Sequence, residues 1–243
     1  QVIEYINKNA NRVGISIELN DRYNSLKNQV SKEDKFTLLR NKIAHPDIKN
    51  DDEKVNLNMN ILNELVAIVG NSGSGKSTLL NIMGLLEEVD DGEIIINHHS
   101  ISNKKDALLL MRYDIGYMFQ NNALIDDYTV KENLDIVLKY SKLNKKEKLN
   151  AVKQALTTVG LEGYENRKIY SLSGGEAQRI AFCKLLLKKP KIVLCDEPTG
   201  SLDETNTKMM MNLLLEYHHT GATVVIVTHD LDVAKLCERV IHI

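Results

Sequence analysis

The chain has 243 residues, with 31 Lys and Arg against 33 Asp and Glu, for a formal charge of −2. That balance excludes a nucleic-acid binder working through bulk positive charge. The 43% hydrophobic share suits an ordinary globular core, and three cysteines without a CxxC pair (Cys183, Cys195, Cys237) exclude a disulfide scaffold or zinc module and fit a reducing compartment.

Residue 1 is Gln, and no signal-peptide pattern follows. This sets the expectation of a fragment or a processed product. Half of the 24 Asn residues fall in positions 1–63, a polar stretch with the acidic run Asp51-Asp52-Glu53. It reads as exposed and partly helical, with Leu26, Val30, Leu38, Leu39 and Ile43 forming a broken apolar stripe over Asp21–Ile43. No apolar run reaches the roughly 18 residues that span a bilayer, so membrane contact is expected to be peripheral.

Beyond residue 54 the pattern changes. Leu65–Val69, Ile192–Cys195 and Thr223–Thr228 are short apolar runs rich in β-branched residues, which predict central strands of a parallel sheet. Helical patterns over Lys76–Gly84, Lys145–Val159, Gly174–Lys188 and Thr205–His218 lie between them. The alternation predicts an α/β doubly wound fold, whose ligands bind beyond the carboxyl ends of the strands. The basic patch Lys142–Lys148 reads as a solvated helix face.

Gly70-Asn71-Ser72-Gly73-Ser74-Gly75-Lys76-Ser77-Thr78 fits G-x-x-x-x-G-K-[ST] between a predicted strand and a predicted helix. Backbone N–H groups of such a loop face a phosphate chain, with Lys76 to neutralise it and the Ser77 hydroxyl to ligate Mg²⁺. Gln120 follows the strand-like run Ile115–Phe119, where it could reach Mg²⁺ or water, or be a plain surface residue. Ser171–Arg179 is a second small-residue turn opening a helix: an anion cradle, a capping box of Ser173 and Glu176, or both. Asp196-Glu197 ends an apolar strand, which suits Asp196 to Mg²⁺ and Glu197 to polarising a water, against a plain cap or turn. His229 ends the third strand and, by itself, reads as a satisfied structural histidine sooner than a catalytic one.

Together, Gly70–Thr78, Gln120, Leu172-Ser173-Gly174-Gly175-Glu176, Asp196-Glu197, Ser201-Leu202-Asp203 and His229 resemble the motif set of the ATP-binding cassette (ABC) ATPases. Tyr117–Gln120, Asp126–Leu134 and Asp196–Asp203 look like the macrolide-export and lipoprotein-release branch, which includes ATPases of bacteriocin export or immunity. The resemblance implies a P-loop NTPase cassette with a RecA-like core and an inserted helical subdomain. It implies an ATP- and Mg²⁺-dependent ATPase working as a nucleotide-sandwich homodimer, with ATP between the P-loop of one copy and the signature of the other. Lys76, Glu197, Gln120 and His229 would be catalytic, and Ser77, Gln120 and Asp196 would hold the metal. Residues 70–78 would bind nucleotide, as would Ser173, Gly174, Gly175 and Glu176 from the opposite copy, with Asp203 at the seam. The implied partner is an integral-membrane permease, at the cytoplasmic face of the membrane and without nucleic acid, its coupling helix seated near Gln120–Tyr128.

The resemblance covers about residues 54–243, with the helical subdomain at about 121–180 and an atypical segment over 1–53. The family usually carries an aromatic residue upstream of the P-loop to stack on adenine; none lies between Phe36 and Gly70, and His45 is nearer the expected place. Glu176 stands where glutamine is commoner, and Arg239–Ile243 looks like a family strand that stops before its usual closing turn. Two rival readings are a soluble ABC-type ATPase uncoupled from transport and a catalytically silent regulatory module.

Overall fold

The computed structural model describes residues 15–19, 55–59, 63–89, 92–96, 99–101 and 103–243. The expected helix over Asp21–Ile43, the acidic run 51–53, Phe36 and His45 lie outside them. Nine strands are described: β1 (Ile15–Leu19), β2 (Val55–Met59), β3 (Leu65–Val69), β4 (Gly92–Ile96), β5 (His99–Ser100), β6 (Ile115–Met118), β7 (Ile192–Asp196), β8 (Thr223–Thr228) and β9 (Arg239–His242). Seven α-helices accompany them: α1 (Lys76–Met83), α2 (Lys104–Tyr113), α3 (Val130–Val137), α4 (Lys145–Thr158), α5 (Gly174–Lys188), α6 (Glu204–His218) and α7 (Leu231–Lys235).

The central sheet runs β6-β7-β8-β3-β9, with every pairing parallel. Its middle strands are continuous apolar runs because both faces are covered. Alternate residues point to opposite sides. Val193, Cys195, Val224 and Ile226 join a core shared with α3, α4, α5 and α6. Ile192, Leu194, Val225 and Val227 join a second core with α1 and with Ile94 and Ile96 of β4. A smaller sheet runs β1-β2-β4-β5, with β1 antiparallel to β2, β2 parallel to β4, and β5 antiparallel to β4. Thus β1, from within the first 53 residues, pairs with β2.

Among the described residues the predicted elements hold within a residue or so, and caps explain the differences at the helix ends. Helix α6 starts at Glu204 because the Asp203 side chain accepts the Asn206 N–H. Helices α3, α4 and α5 each open on a full capping box: Thr129 with Glu132, Asn144 with Glu147, and Ser173 with Glu176. Helix α5 ends at Lys188 as Lys189 turns left-handed. Strand β6 stops at Met118, one residue before the expected Phe119, and β7 continues through Asp196.

Helices α3, α4 and α5 pack through Leu134, Val152, Leu156 and Ile180, all inaccessible to solvent. The buried Asn133 has its carbonyl oxygen bound by the Ile125 N–H at 2.8 Å, and its amide donates to the Ile125 and Thr129 carbonyls at 3.1 Å. It thereby folds residues 125–129 onto α3. Truncating Leu134 to Ala leaves a cavity in a close-packed site and is expected to cost about 2–5 kcal/mol. The same change at Ile136, on the exposed side of α3, should stay within about 0.5 kcal/mol. Urea unfolding of the two variants measures the contrast.

Candidate functional site

The strand order decides where the polar motifs meet. In the run β6-β7-β8-β3, each strand ends at the same edge of the sheet. Gln120 lies just beyond β6, Asp196-Glu197 end β7, His229 follows β8, and the loop 70–75 follows β3. Parallel pairing alone sets these side by side.

The loop is built for an anion. Gly73 and Gly75 adopt φ of 79° and 89°, which a side chain would disfavour. Gly75 is the N-cap of α1, so the first N–H groups of that helix, which lack intrahelical partners, point into the loop. The Lys76 ammonium is almost buried and donates to the carbonyls of Gly70 at 3.0 Å and Asn71 at 2.8 Å. Ser74 Oγ is buried and finds no hydrogen-bond partner among the described residues. Asn71, Ser72 and Ser77 face solvent, and Thr78 is half-buried. A cationic group, free helix N–H groups and an orphaned hydroxyl make a donor set that fits a nucleotide's phosphates.

Ser77 Oγ donates to Asp196 Oδ1 at 3.1 Å. Among the described residues no group of three or more His, Cys, Asp or Glu could hold a metal ion. A hydroxyl and one carboxylate suit Mg²⁺, which binds through one or two protein oxygens plus substrate phosphate and water. Burial pushes the Asp196 carboxyl above the usual carboxylate range. The Ser77 hydrogen bond opposes this, the Glu197 charge adds to it, and Lys76 opposes it.

Glu197 sits at φ 46°, an uncommon conformation for a side-chain-bearing residue that costs of order 1–3 kcal/mol. The surroundings fix it there. Its N–H donates to Val227 O at 2.9 Å. One carboxylate oxygen accepts the His229 N–H at 3.1 Å and lies 2.7 Å from His229 Nδ1, while the other accepts the Thr228 hydroxyl at 3.2 Å. His229 is exposed and Glu197 only 13% so. A histidine at a strand end and the acid at the next strand's end thus form one unit. Thr228 was not singled out in the sequence; its place as the last residue of β8, beside His229, was the available signal.

Gln120 is exposed. The turn beyond it passes through Asn122 and Ala123, both at positive φ. Lys184 of α5 donates to the Ala123 carbonyl. The Tyr117 and Phe119 rings stack at 4.0 Å, and the Tyr117 hydroxyl donates to Asn81 of α1 at 2.6 Å.

The second turn, Ser173–Glu176, opens α5. Glu176 accepts the Ser173 N–H at 2.8 Å and its hydroxyl at 2.9 Å on one oxygen, and the Tyr164 hydroxyl at 2.7 Å on the other. Those bonds, the Ser173 backbone first, hold its carboxyl below the usual range. Gly174 and Gly175 form the first turn of α5, and Asp203 caps α6. Among the described residues no hydrogen bond of Ser173 or Glu176 reaches residues 70–78. Tyr164 carried no sequence signal, because its partner is 12 residues away across a turn.

The sequence pattern of the ABC transporter family matches residues 53–200. The chain is 39% identical over 180 residues to the macrolide export ATP-binding/permease protein MacB of Pasteurella multocida, covering 73% of this chain but only 28% of that protein's length. It is 39% identical over 178 residues to the lipoprotein-releasing system ATP-binding protein LolD of Aquifex aeolicus, covering 72% and 80% of the two chains. It also superposes on the dimeric structure of a post-hydrolysis state of the ATP-binding cassette MJ0796 bound to ADP and Pi. The TM-score is 0.70 at 34% identity, covering 80% of this chain and 89% of that one.

The raised Asp196 carboxyl has a consequence for stability. The native state holds its proton more tightly than the unfolded chain. Stability from this group is therefore fully present below about pH 3.9, the unfolded value, and is lost as pH rises through the native value. Asp196→Asn should melt at a higher temperature than wild type at neutral pH. The gap should close on acidification, as read from thermal melts across pH without added nucleotide.

Proposed function

The chain belongs to the ABC transporter family, and from that premise we propose that it is the ATP-hydrolysing subunit of an exporter of the peptide, bacteriocin, macrolide or lipoprotein type. One observation carries this. The Lys76 loop, the Ser77–Asp196 pair and the Glu197–His229 pair share one edge of the sheet, so a phosphate cradle, a metal-ligand pair and a base lie within one site.

In this reading the loop 70–78 grips the phosphates, and Lys76 exchanges its two carbonyl partners for phosphate oxygens. Ser77, Asp196 and Gln120 would hold Mg²⁺, whose charge would offset that of the terminal phosphates. Glu197 accepts a proton from the attacking water through a carboxylate that Thr228 and His229 hold in place. His229, exposed beside it, presents its other ring nitrogen to the terminal phosphate. Ser173, Gly174, Gly175 and Glu176 close the site from a second copy, with Asp203 at the seam, so that ATP binding assembles two cassettes and hydrolysis releases them. Residues 54–243 form the cassette in this reading, and about 121–180 its helical subdomain.

Among the described residues no helix is long and apolar enough to cross a membrane. In this reading the membrane partner is an integral-membrane permease whose coupling helix docks near Gln120–Tyr128, which holds the cassette peripherally at the cytoplasmic face. Retention of a polytopic membrane protein during purification supports this pairing; co-purification with nucleic acid alone overturns it.

Glu197→Gln keeps the size of the side chain but cannot take the proton. ATP turnover is expected to fall by about 10²–10⁴ while nucleotide binding, measured by calorimetry, is retained. An unchanged turnover rate would remove Glu197 from the role of base.

A further inference from the structure

Asn206 lies in the first turn of α6, and its contacts come from two separate segments, the loop ending at Asp203 and helix α5. Its backbone N–H donates to Asp203 Oδ1 at 2.8 Å. Its side-chain nitrogen donates to Asp203 Oδ2 at 2.7 Å, and its side-chain oxygen accepts from Arg179 Nη1 of α5 at 2.8 Å. A methyl group added to Gly175 would stand 2.9 Å from the Asn206 amide carbon and oxygen. The chemistry allows one orientation of the amide. Turned over, it would set NH₂ against a guanidinium and oxygen against a carboxylate. Arg179 Nε is buried and finds no hydrogen-bond partner among the described residues, and the guanidinium is tied to Asn206 through Nη1.

The cap of α6 does not explain this arrangement. Asp203 caps the helix through the Asn206 backbone N–H, which any residue supplies. What asparagine adds is a bridge with a donor at one end and an acceptor at the other. It joins the helix carrying Gly174 and Gly175 to the loop ending at Asp203. The Ser173–Glu176 turn is braced on its other side by Tyr164. The bonds from Asn206, the backbone one first, also hold the Asp203 carboxyl below its usual range, which favours the charged acceptor the bridge needs.

We propose that Asn206 is a positioning residue that locks the Ser173–Glu176 turn and the Asp203 loop into one rigid body, presented as a unit to a second copy of this chain. The dimer part rests on the nucleotide-sandwich reading above; the locking does not. No residue of the bridge lies in the loop 70–78, so nucleotide binding to a single chain is independent of it. Aspartate could not serve, since it lacks the donor and would face Asp203 as a like charge.

The test uses the full chain carrying Glu197→Gln, alone and with Asn206→Ala. Alanine suits a helix first turn and leaves the backbone cap, so folding is preserved. Amide hydrogen exchange in the nucleotide-free protein is expected to accelerate about tenfold in both 173–177 and 203–206. ATP binding to the single chain should be unchanged, and ATP-driven dimerisation about tenfold weaker, a difference of about 1.4 kcal/mol. A double-mutant cycle adds Gly175→Ala, whose methyl meets Asn206. The pair of changes should cost less than the sum of the singles, because removing the amide makes room. Acceleration confined to 203–206, or an unchanged dimerisation constant in a parent that dimerises, overturns the proposal. If the Glu197→Gln parent fails to dimerise with ATP, the sandwich reading falls. The exchange data then decide the bridge: joint acceleration supports it, and acceleration of one segment alone overturns it.

Discussion

A parallel sheet buried on both faces constrains everything else in this molecule. Its central strands bury their side chains in one core or the other, and neither core has room for an unpaired charge. Polar chemistry can enter only where strands end. The amino ends of β3 and β9 carry structural pairs, with the Leu65 N–H on Glu238 at 2.9 Å and Arg239 near Glu64 at 3.4 Å. The carboxyl ends carry the lysine loop, the Asp-Glu pair and the histidine. The site follows from where the sheet stops.

Within that edge, stability has been given up locally. Glu197 holds an uncommon backbone conformation, and Asp196 keeps a carboxylate where burial disfavours its charge. Both are sustained by a surround that leaves little choice: three donors converge on Glu197, and Ser77 donates to Asp196. Such strain persists only where packing over-determines it. The adjacent strands β7 and β8, buried along nearly their whole length, provide that packing.

Buried and half-buried amides do the connecting. Asn133 folds the loop beyond Gln120 onto α3, Gln178 donates to the Pro198 carbonyl, and Asn206 joins α5 to Asp203. Asn133 and Asn206 use donor and acceptor together, and all three amides tie segments without placing a net charge between them. Lys184 and Lys188 extend the ties of α5 to the carbonyls of Ala123 and Met111. Through these bonds the helix bearing Ser173 and the loop bearing Gln120 belong to one framework.

The amino-acid sequence by itself determined the elements and the nature of the chemistry. β-branched runs bounded by Gly, Asp-Glu and His read as buried strands with polar ends, and α4, α5 and α6 showed as helical patterns between them, α5 with its Ser173–Glu176 capping box, whereas α2 and α3 were not singled out. Local backbone sterics and capping are encoded within a few residues, so they are legible without tertiary contacts. The glycine loop with its lysine was legible for the same reason: its geometry is local. Only the tertiary structure decided that β7 and β8 lie between β6 and β3, that Thr228 and His229 rather than solvent orient Glu197, and that Tyr164 and Asn206 brace the second turn. Those partners stand 12 to 32 residues apart. Hydrogen bonds at such separations depend on how strands order and helices pack, a property of the whole fold that no local pattern records.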